Sequence, residues 1–269
     1  MKRILSSLFT LIFASVMMCL FLSPTAMAKI LFEDNFRNAE KSKNNWVFAA
    51  GDWKVQGGKL TQGAQQERTM AYMSDKAWPE EYDTKETALT QYIVEVTVKK
   101  LRGDNGALIF WRIRDDMKVQ IGRECGGGFN SSFCLGDAGA KGRLEKIGKG
   151  RIKLWWDLGR QDEKSVLVRD INGIARDFEA SESKHKLAKN KEVRVRIEND
   201  TKFVKLFLDD NLVWEGKVIQ GANTGGRIAL GTHATSAEFS DFVITDLKGE
   251  AVEPGGKITT TWGSLKTRR

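Results

Sequence analysis

Tyr92-Ile-Val-Glu-Val-Thr-Val98 alternates apolar and polar side chains with a period of two. A β-strand points successive side chains to opposite faces, so Tyr92, Val94, Val96 and Val98 line one side, and Glu95 and Thr97 line the other. The same pattern recurs downstream. Ile152, Leu154, Trp156 and Leu158 oppose Arg151, Lys153 and Asp157, while Val193, Val195 and Ile197 oppose Arg194 and Arg196. Such alternation is expected where one face of an antiparallel sheet packs inward and the other meets water. From Gln91 onward almost no helical period intervenes, and many half-buried strands predict an all-β fold, a two-sheet antiparallel β-sandwich.

Working outward, Ala107-Leu-Ile-Phe-Trp-Arg-Ile113 is apolar on both faces and is expected at the centre of a sheet, with Met117 to Glu124 as its neighbour across a turn at Arg114 to Asp116. Phe203 to Asp209 and Leu212 to Trp214 form a hairpin turned by Asp209-Asp-Asn211, whose short polar side chains tolerate the required dihedrals. Thr61 to Thr90 is less regular and is expected to hold long loops. No internal repeat or low-complexity tract stands out.

The first 28 residues read as a secretory signal. Lys2-Arg3 is a basic start, Ile4 to Leu22 carries no charge, and Ala26-Met-Ala28 is a small-x-small cleavage site. The apolar run is long enough for an uncleaved anchor, but Pro24 before a good cleavage site argues against one. Cys19 lacks the Leu-small-small triplet of a lipoprotein signal. The expected location is therefore extracellular or periplasmic, with no stable membrane insertion after cleavage. Residues 29–249 read as one domain, large enough to bury its own core. Glu250-Ala-Val-Glu-Pro-Gly-Gly256 reads as a linker, and residues up to 269 as a short basic tail with Trp262.

Cys125 and Cys134 flank Gly126-Gly-Gly-Phe-Asn-Ser-Ser-Phe133. In an oxidising compartment a pair this close is expected to form a disulfide across a surface loop. Zinc is the weaker reading, since it wants four ligands and His185 and His233 lie far along the chain. The formal net charge is +8, or +6 once Lys2 and Arg3 leave with the signal. That excess reads as scattered through the strands, so nucleic acid is a poor partner, whereas an anionic glycan or envelope surface fits.

The two ends carry a resemblance. Leu31-Phe-Glu-Asp-Asn-Phe36, Trp46 and Gly51-Asp-Trp53 near the start, with Gly226-Arg-Ile-Ala-Leu-Gly231 and Phe239-Ser-Asp-Phe-Val-Ile-Thr-Asp246 near the end, resemble the closing strands of concanavalin A-like, laminin-G-like jelly rolls. With Gly106-Ala-Leu-Ile-Phe-Trp-Arg112 the look is nearest to the 3-keto-disaccharide hydrolase domains of that superfamily. The resemblance implies a jelly roll whose first and last strands lie side by side. It also implies a structural calcium at that seam, with Asp241 from the last strand and Asp34 or the Gly51 carbonyl as ligands. Asp241 reads equally as a surface residue of the strand.

Three constellations bear on chemistry. Glu81-Tyr-Asp-Thr-Lys-Glu86 matches the Glu-x-Asp-x-x-Glu string of some retaining glucanases, whose carboxylates must flank the sugar bond at about 5–5.5 Å. Here Glu86 stands five positions from Glu81, Tyr82, Thr84 and Lys85 intervene, and Pro79 lies just upstream, so the string reads as a charged loop. Sugars offer an apolar ring face and a rim of hydroxyls, which suits an aromatic platform beside forked or carboxylate groups. Trp155 as platform, with Arg112, Arg123, Glu124 and Asp157, is the sugar-binding set this predicts. Trp111 is expected in the core, and Arg112 reads equally as a solvent-facing charge. If the chain is an enzyme, Glu124 and Asp157 are its candidate carboxylates. Asn130-Ser-Ser132 and Asn199-Asp-Thr201 are formal glycosylation sequons. No nucleophile elbow, phosphate loop or metal-binding histidine pair is present.

Three functions follow as expectations: a secreted, non-catalytic glycan-binding module; a glycoside hydrolase of the 3-keto-disaccharide type; or a structural, adhesive envelope protein.

Overall fold

The computed structural model describes residues 28–65, 69–79, 82, 89–113, 152–161, 164–171, 174–177, 181–200, 203–217 and 226–247, and the compact unit spans Ile30–Leu247. The signal residues 1–27, the Glu81 to Glu86 carboxylates, the strand expected at Met117 to Glu124, the Cys125–Cys134 pair, Arg123, Glu124, Asn130 and the linker and tail at 250–269 lie outside the described residues.

Two antiparallel sheets make up the sandwich. The elements in chain order are β1 (Ile30–Asp34), α1 (Ala39–Asn45), β2 (Trp46–Ala50), β3 (Trp53–Gln56), β4 (Lys59–Gln62), β5 (Thr69–Met73), β6 (Tyr92–Gly103), β7 (Ala107–Ile113), β8 (Ile152–Arg160), β9 (Lys164–Ile171), β10 (Ile174–Asp177), β11 (Glu192–Asn199), β12 (Phe203–Leu208), β13 (Asn211–Lys217), β14 (Arg227–Thr232) and β15 (Thr235–Asp246). The first sheet runs β13-β12-β11-β6-β15-β4-β3 with β1 added on β15, and the second runs β10-β9-β8-β7-β14-β5-β2.

The alternating positions read from the sequence fill the space between the sheets. Tyr92, Val94, Val96 and Val98 from β6 and Val193, Val195 and Ile197 from β11 face Ile109 and Trp111 from β7 and Leu154, Trp156 and Leu158 from β8. Strand β7, buried along its whole length, lies in the middle of the second sheet between β8 and β14, as its two-sided apolarity predicts. The β12–β13 hairpin turns through Asp209 and Asp210 at φ of 47° and 64°, the doubly left-handed geometry of a two-residue hairpin turn. The stretch read as irregular carries the short strand β5, whose Met and Ala residues give little β signal.

First and last strands do lie side by side. β1 pairs antiparallel with β15, Asp34 opposite Phe242, and Phe242 meets Trp46 edge-on with ring centroids 5.0 Å apart. Asp34 organises the seam. Its Oδ1 accepts from the Phe36 amide at 2.9 Å and the Ser42 hydroxyl at 2.8 Å, and its Oδ2 accepts from Asn45 Nδ2 at 3.0 Å and Trp46 Nε1 at 3.1 Å. Asn45 and Ser42 reach it because α1 stands directly after β1, started by Asn38, whose side chain caps the Lys41 amide.

Candidate functional site

The register of the second sheet aligns its outward side chains in rows. Asp157 (β8) lies opposite Val166 (β9) and Leu108 (β7), and Leu108 opposite Gly231 (β14), which pairs with Met70 (β5). One row over, Val168, Trp155, Phe110, Ala229, Tyr72 and Val47 run in order across β9, β8, β7, β14, β5 and β2. Three aromatic rings thus share one row, and Phe110 and Trp155 pack with centroids 5.6 Å apart. Between Phe110 and Tyr72 the strand β14 offers only Ala229 and Gly231. A Cβ on Gly231 would stand 3.0 Å from the Phe110 ring and 2.4 Å from the Thr69 carbonyl, so glycine is what lets the ring and the neighbouring strand close over this spot.

This outer face corrects the expectation that it meets water. Trp155 is 6% exposed and Asp157 2%, and both belong to a second buried layer with Met70, Leu108, Phe110, Ile113, Val166, Val168 and Ala229. Alternation shows which residues share a face; what lies over that face leaves no mark on the period. Exposure rises toward the β2–β5 edge, where Tyr72 is half-buried and Val47 is 38% exposed, and at the far end of the row, where Asp177 of β10 lies opposite Val168 and is exposed. Beside the end of β5 the buried Arg227, at the start of β14, donates from Nη1 to the Met73 carbonyl at 3.0 Å and pairs through Nη2 with the exposed Asp75 Oδ1 at 2.5 Å. Tyr72, Arg227 and Asp75 are the members of the face that sequence reading missed. Their signal was weak, a lone tyrosine in a short Met-Ala strand and an arginine inside a glycine-bounded apolar run.

Arg112 is likewise corrected. A left-handed backbone at this residue, φ 63°, coincides with a register shift between β7 and β14, and turns the side chain out of the alternation. Its guanidinium is buried and donates to Asn199 Oδ1 from Nε at 3.2 Å and Nη2 at 2.9 Å, tying the second sheet to β11 of the first. Burial lowers its pKa. Asn199 in turn donates to the Thr90 carbonyl at 2.8 Å and is fully buried, so this sequon is no acceptor on the folded protein.

The β8 end of the face holds an ion-pair relay. Asp157 Oδ2 accepts from Arg160 Nε at 2.7 Å, and Arg160 Nη1 donates to Asp177 Oδ2 at 2.6 Å. Asp157 Oδ1 has no hydrogen-bond partner among the described residues. Gly106 makes this corner possible, because a Cβ there would sit 2.0 Å from the Leu158 carbonyl oxygen and 2.9 Å from Asp157 Oδ1. Burial pushes the Asp157 carboxyl above its ordinary range; Arg160 and nearby His233 oppose that rise, and Asp177 adds to it. Burial works against the Arg160 charge, yet the attraction and hydrogen bonds of Asp157 and Asp177 together hold its pKa above the usual value.

A carboxyl with a raised folded pKa binds its proton more tightly folded than unfolded, so stability is fullest at low pH and falls as pH rises from the ordinary carboxylate value near 4 toward the folded one. Wild type should therefore lose stability relative to Asp157→Asn as pH rises from about 4 to 7. Urea unfolding of both proteins across that range checks it; a difference that is flat or of opposite slope contradicts the assignment.

Asp34 is committed to the protein at the seam. The Asp34 carboxylate spends its lone pairs on four protein donors, leaving none to aim at an ion. Asp241 lies in the bulge of β15 at φ 48°, and Gly51 holds φ 110° beside Trp53 and Gln62. Among the described residues no group of three or more His, Cys, Asp or Glu side chains is placed to hold a metal.

Comparison with solved structures finds the same sandwich fold in other proteins. A Bacillus subtilis protein with a galectin-like fold is 11% identical, with a TM-score of 0.53 over 82% of this chain and 98% of that one. The laminarinase from Rhodothermus marinus is 10% identical, with a TM-score of 0.51 over 81% and 97% of the two chains. The carbohydrate recognition domain of Emp46p is 16% identical, with a TM-score of 0.51 over 81% and 97%. No protein-family model and no curated protein sequence matches the chain. Likeness at such low identity establishes the fold and leaves the activity to the site.

Proposed function

We propose that this chain is an exported, non-catalytic glycan-binding module whose ligand sits at the exposed Tyr72 edge of the second sheet's outer face. The observation that carries the reading is the row Trp155, Phe110, Tyr72 on a floor of Ala229 and Gly231, which ends at the solvent edge beside the Arg227–Asp75 pair. A half-buried tyrosine offers a sugar both a flat apolar face and a hydroxyl, and an arginine fork with a carboxylate suits the rim of sugar hydroxyls. Trp155 supports the row from within, with Asp157 in the neighbouring row of the same face, and Arg123 and Glu124 remain in the proposed ligand set. Asp241 and the Gly51 carbonyl keep their proposed calcium role, without Asp34. Export rests on the Lys2-Arg3 to Ala28 signal. No helix among the described residues is long and apolar enough to cross a membrane.

Pull-down on insoluble glycans and a glycan array test this. Tyr72→Ala should weaken binding about tenfold, the scale of losing one stacked aromatic. Trp155→Ala is the poorer probe, since emptying a buried indole site costs about 3–5 kcal/mol of stability. Full binding by a folded Tyr72→Ala protein would remove the site assignment.

A glycoside hydrolase is the second reading, favoured by one observation: a buried carboxyl of raised pKa, the property of a catalytic acid. Against it, Arg160 bridges Asp157 and Asp177 and holds an oxygen of each carboxylate in an ion pair. The hydrolase reading requires activity on a saccharide panel that collapses in Asp157→Asn. A purely adhesive envelope role would leave every glycan unbound.

A further inference from the structure

Charge that the sequence shows as scattered is gathered at one place. Residues 184–191, Lys-His-Lys-Leu-Ala-Lys-Asn-Lys, carry four lysines, one histidine and no acid. Lys184, His185, Lys186, Lys189 and Lys191 are all exposed, and the side chains of the four lysines have no ion pair or hydrogen bond among the described residues. The flanking acids are engaged elsewhere, Glu182 with Lys164 at 2.6 Å and Glu192 with Lys59 at 3.8 Å. The segment is also fixed in place. Ser183 and Ser165 exchange backbone hydrogen bonds of 2.8 and 2.9 Å, the Ser165 hydroxyl donates to the His185 carbonyl at 2.8 Å, and the Asn190 amide donates to the Lys100 carbonyl at 2.7 Å. Leu187, 3% exposed, is driven into the core against Gly159. A backbone held at both ends thus presents a run of cations from the Ser165–Ser183 bridge beside β9 to the start of β11.

We infer that residues 184–191 form a docking strip for an anionic polysaccharide, a chain of repeated carboxylate, sulfate or phosphate groups. A run of point-charge ammonium groups matches distributed anions, because each lysine attracts a charge without demanding a fixed orientation. The segment holds no Phe, Tyr or Trp platform, its one ring being the His185 imidazole, and no arginine fork to read a base, which argues against nucleic acid. Its only large apolar side chain, Leu187, points inward, which argues against insertion into a lipid surface. The strip lies apart from the Tyr72 edge, so the two sites are separable.

The test compares the full chain with a variant carrying Lys184→Gln, Lys186→Gln, Lys189→Gln and Lys191→Gln, and with a charge-matched control changing the exposed Lys29, Lys41, Lys43 and Lys54 to Gln. Affinity for alginate, oligo(dT) and phosphatidylglycerol vesicles is measured between 50 and 300 mM salt on the order of a screening series, with unaltered melting temperatures confirming the folds. The strip variant should lose alginate affinity about tenfold or more and show a flatter salt dependence, while the control stays within about threefold of wild type. Neutral-glycan binding should be unchanged in the strip variant and weakened about tenfold in Tyr72→Ala, which separates failure of this inference from failure of the outer-face site. Equal losses in strip and control variants, or tighter binding of oligo(dT) or vesicles than of alginate, would overturn it.

Discussion

Arg160→Met should destabilise the folded protein by about 3–5 kcal/mol at neutral pH, the cost of breaking a buried pair from one side. The substitution keeps the length and apolar stem of the side chain but removes the only described donor to Asp157, whose side chain is 3% exposed. The stranded carboxylate then has two courses, to stay charged in an apolar layer or to take up a proton, and both draw on folding free energy. Protonation is easier in acid, so the deficit should shrink as pH falls toward 4. Adding Asp157→Asn to Arg160→Met removes the stranded charge and should recover most of the loss. Denaturant unfolding of the two single variants and the double variant measures this coupling directly. A loss below 1 kcal/mol for Arg160→Met, or no recovery in the double variant, would mean that the relay is ornamental.

Asp34→Ala should cost about as much, roughly 3–5 kcal/mol, because four donors lose one acceptor and three of them, the Phe36 amide, Ser42 and Trp46, are buried. For a domain of this size that corresponds to a fall of about 10 °C in melting temperature. The damage should concentrate at the seam, since Asp34 pairs β1 with β15 through Phe242 and fixes α1 through Ser42 and Asn45. Hydrogen exchange should then show the amides of β1 opening before those of β6. Asp34→Asn, which keeps one acceptor oxygen, should fall between. A melting temperature unchanged in Asp34→Ala would remove the seam as a source of stability.

Both residues mark where the sequence was readable and where it was not. The faces of β6, β8 and β11 could be read because a strand's period is local, and one buried face imposes it on every second residue. The adjacency of β1 and β15 could be read from the Leu31 to Phe36 and Phe239 to Asp246 motifs, whereas the four donors that converge on Asp34 depend on α1 folding back after β1 and could not. Asp157 and Trp155 looked exposed because Lys153 shares their face; a second buried layer depends on what covers the sheet, which neighbours in sequence do not encode. Arg112 escaped because one left-handed residue inverted its direction, and nothing in Phe-Trp-Arg-Ile announces a bulge. The lysines of 184–191 were visible as letters, but only the fold shows that Glu182 and Glu192 are engaged with lysines outside the run.

The glycan face is tested most directly by titrating the full chain against the neutral glycan that a glycan array ranks highest, following the Tyr72 ring and Arg227 guanidinium resonances by NMR. The account predicts saturable shifts at Tyr72 and Arg227, little change at Lys184 to Lys191, and about tenfold weaker binding in Tyr72→Ala. Saturable binding that leaves Tyr72 and Arg227 unmoved, or no binding by any glycan on the array, would contradict it.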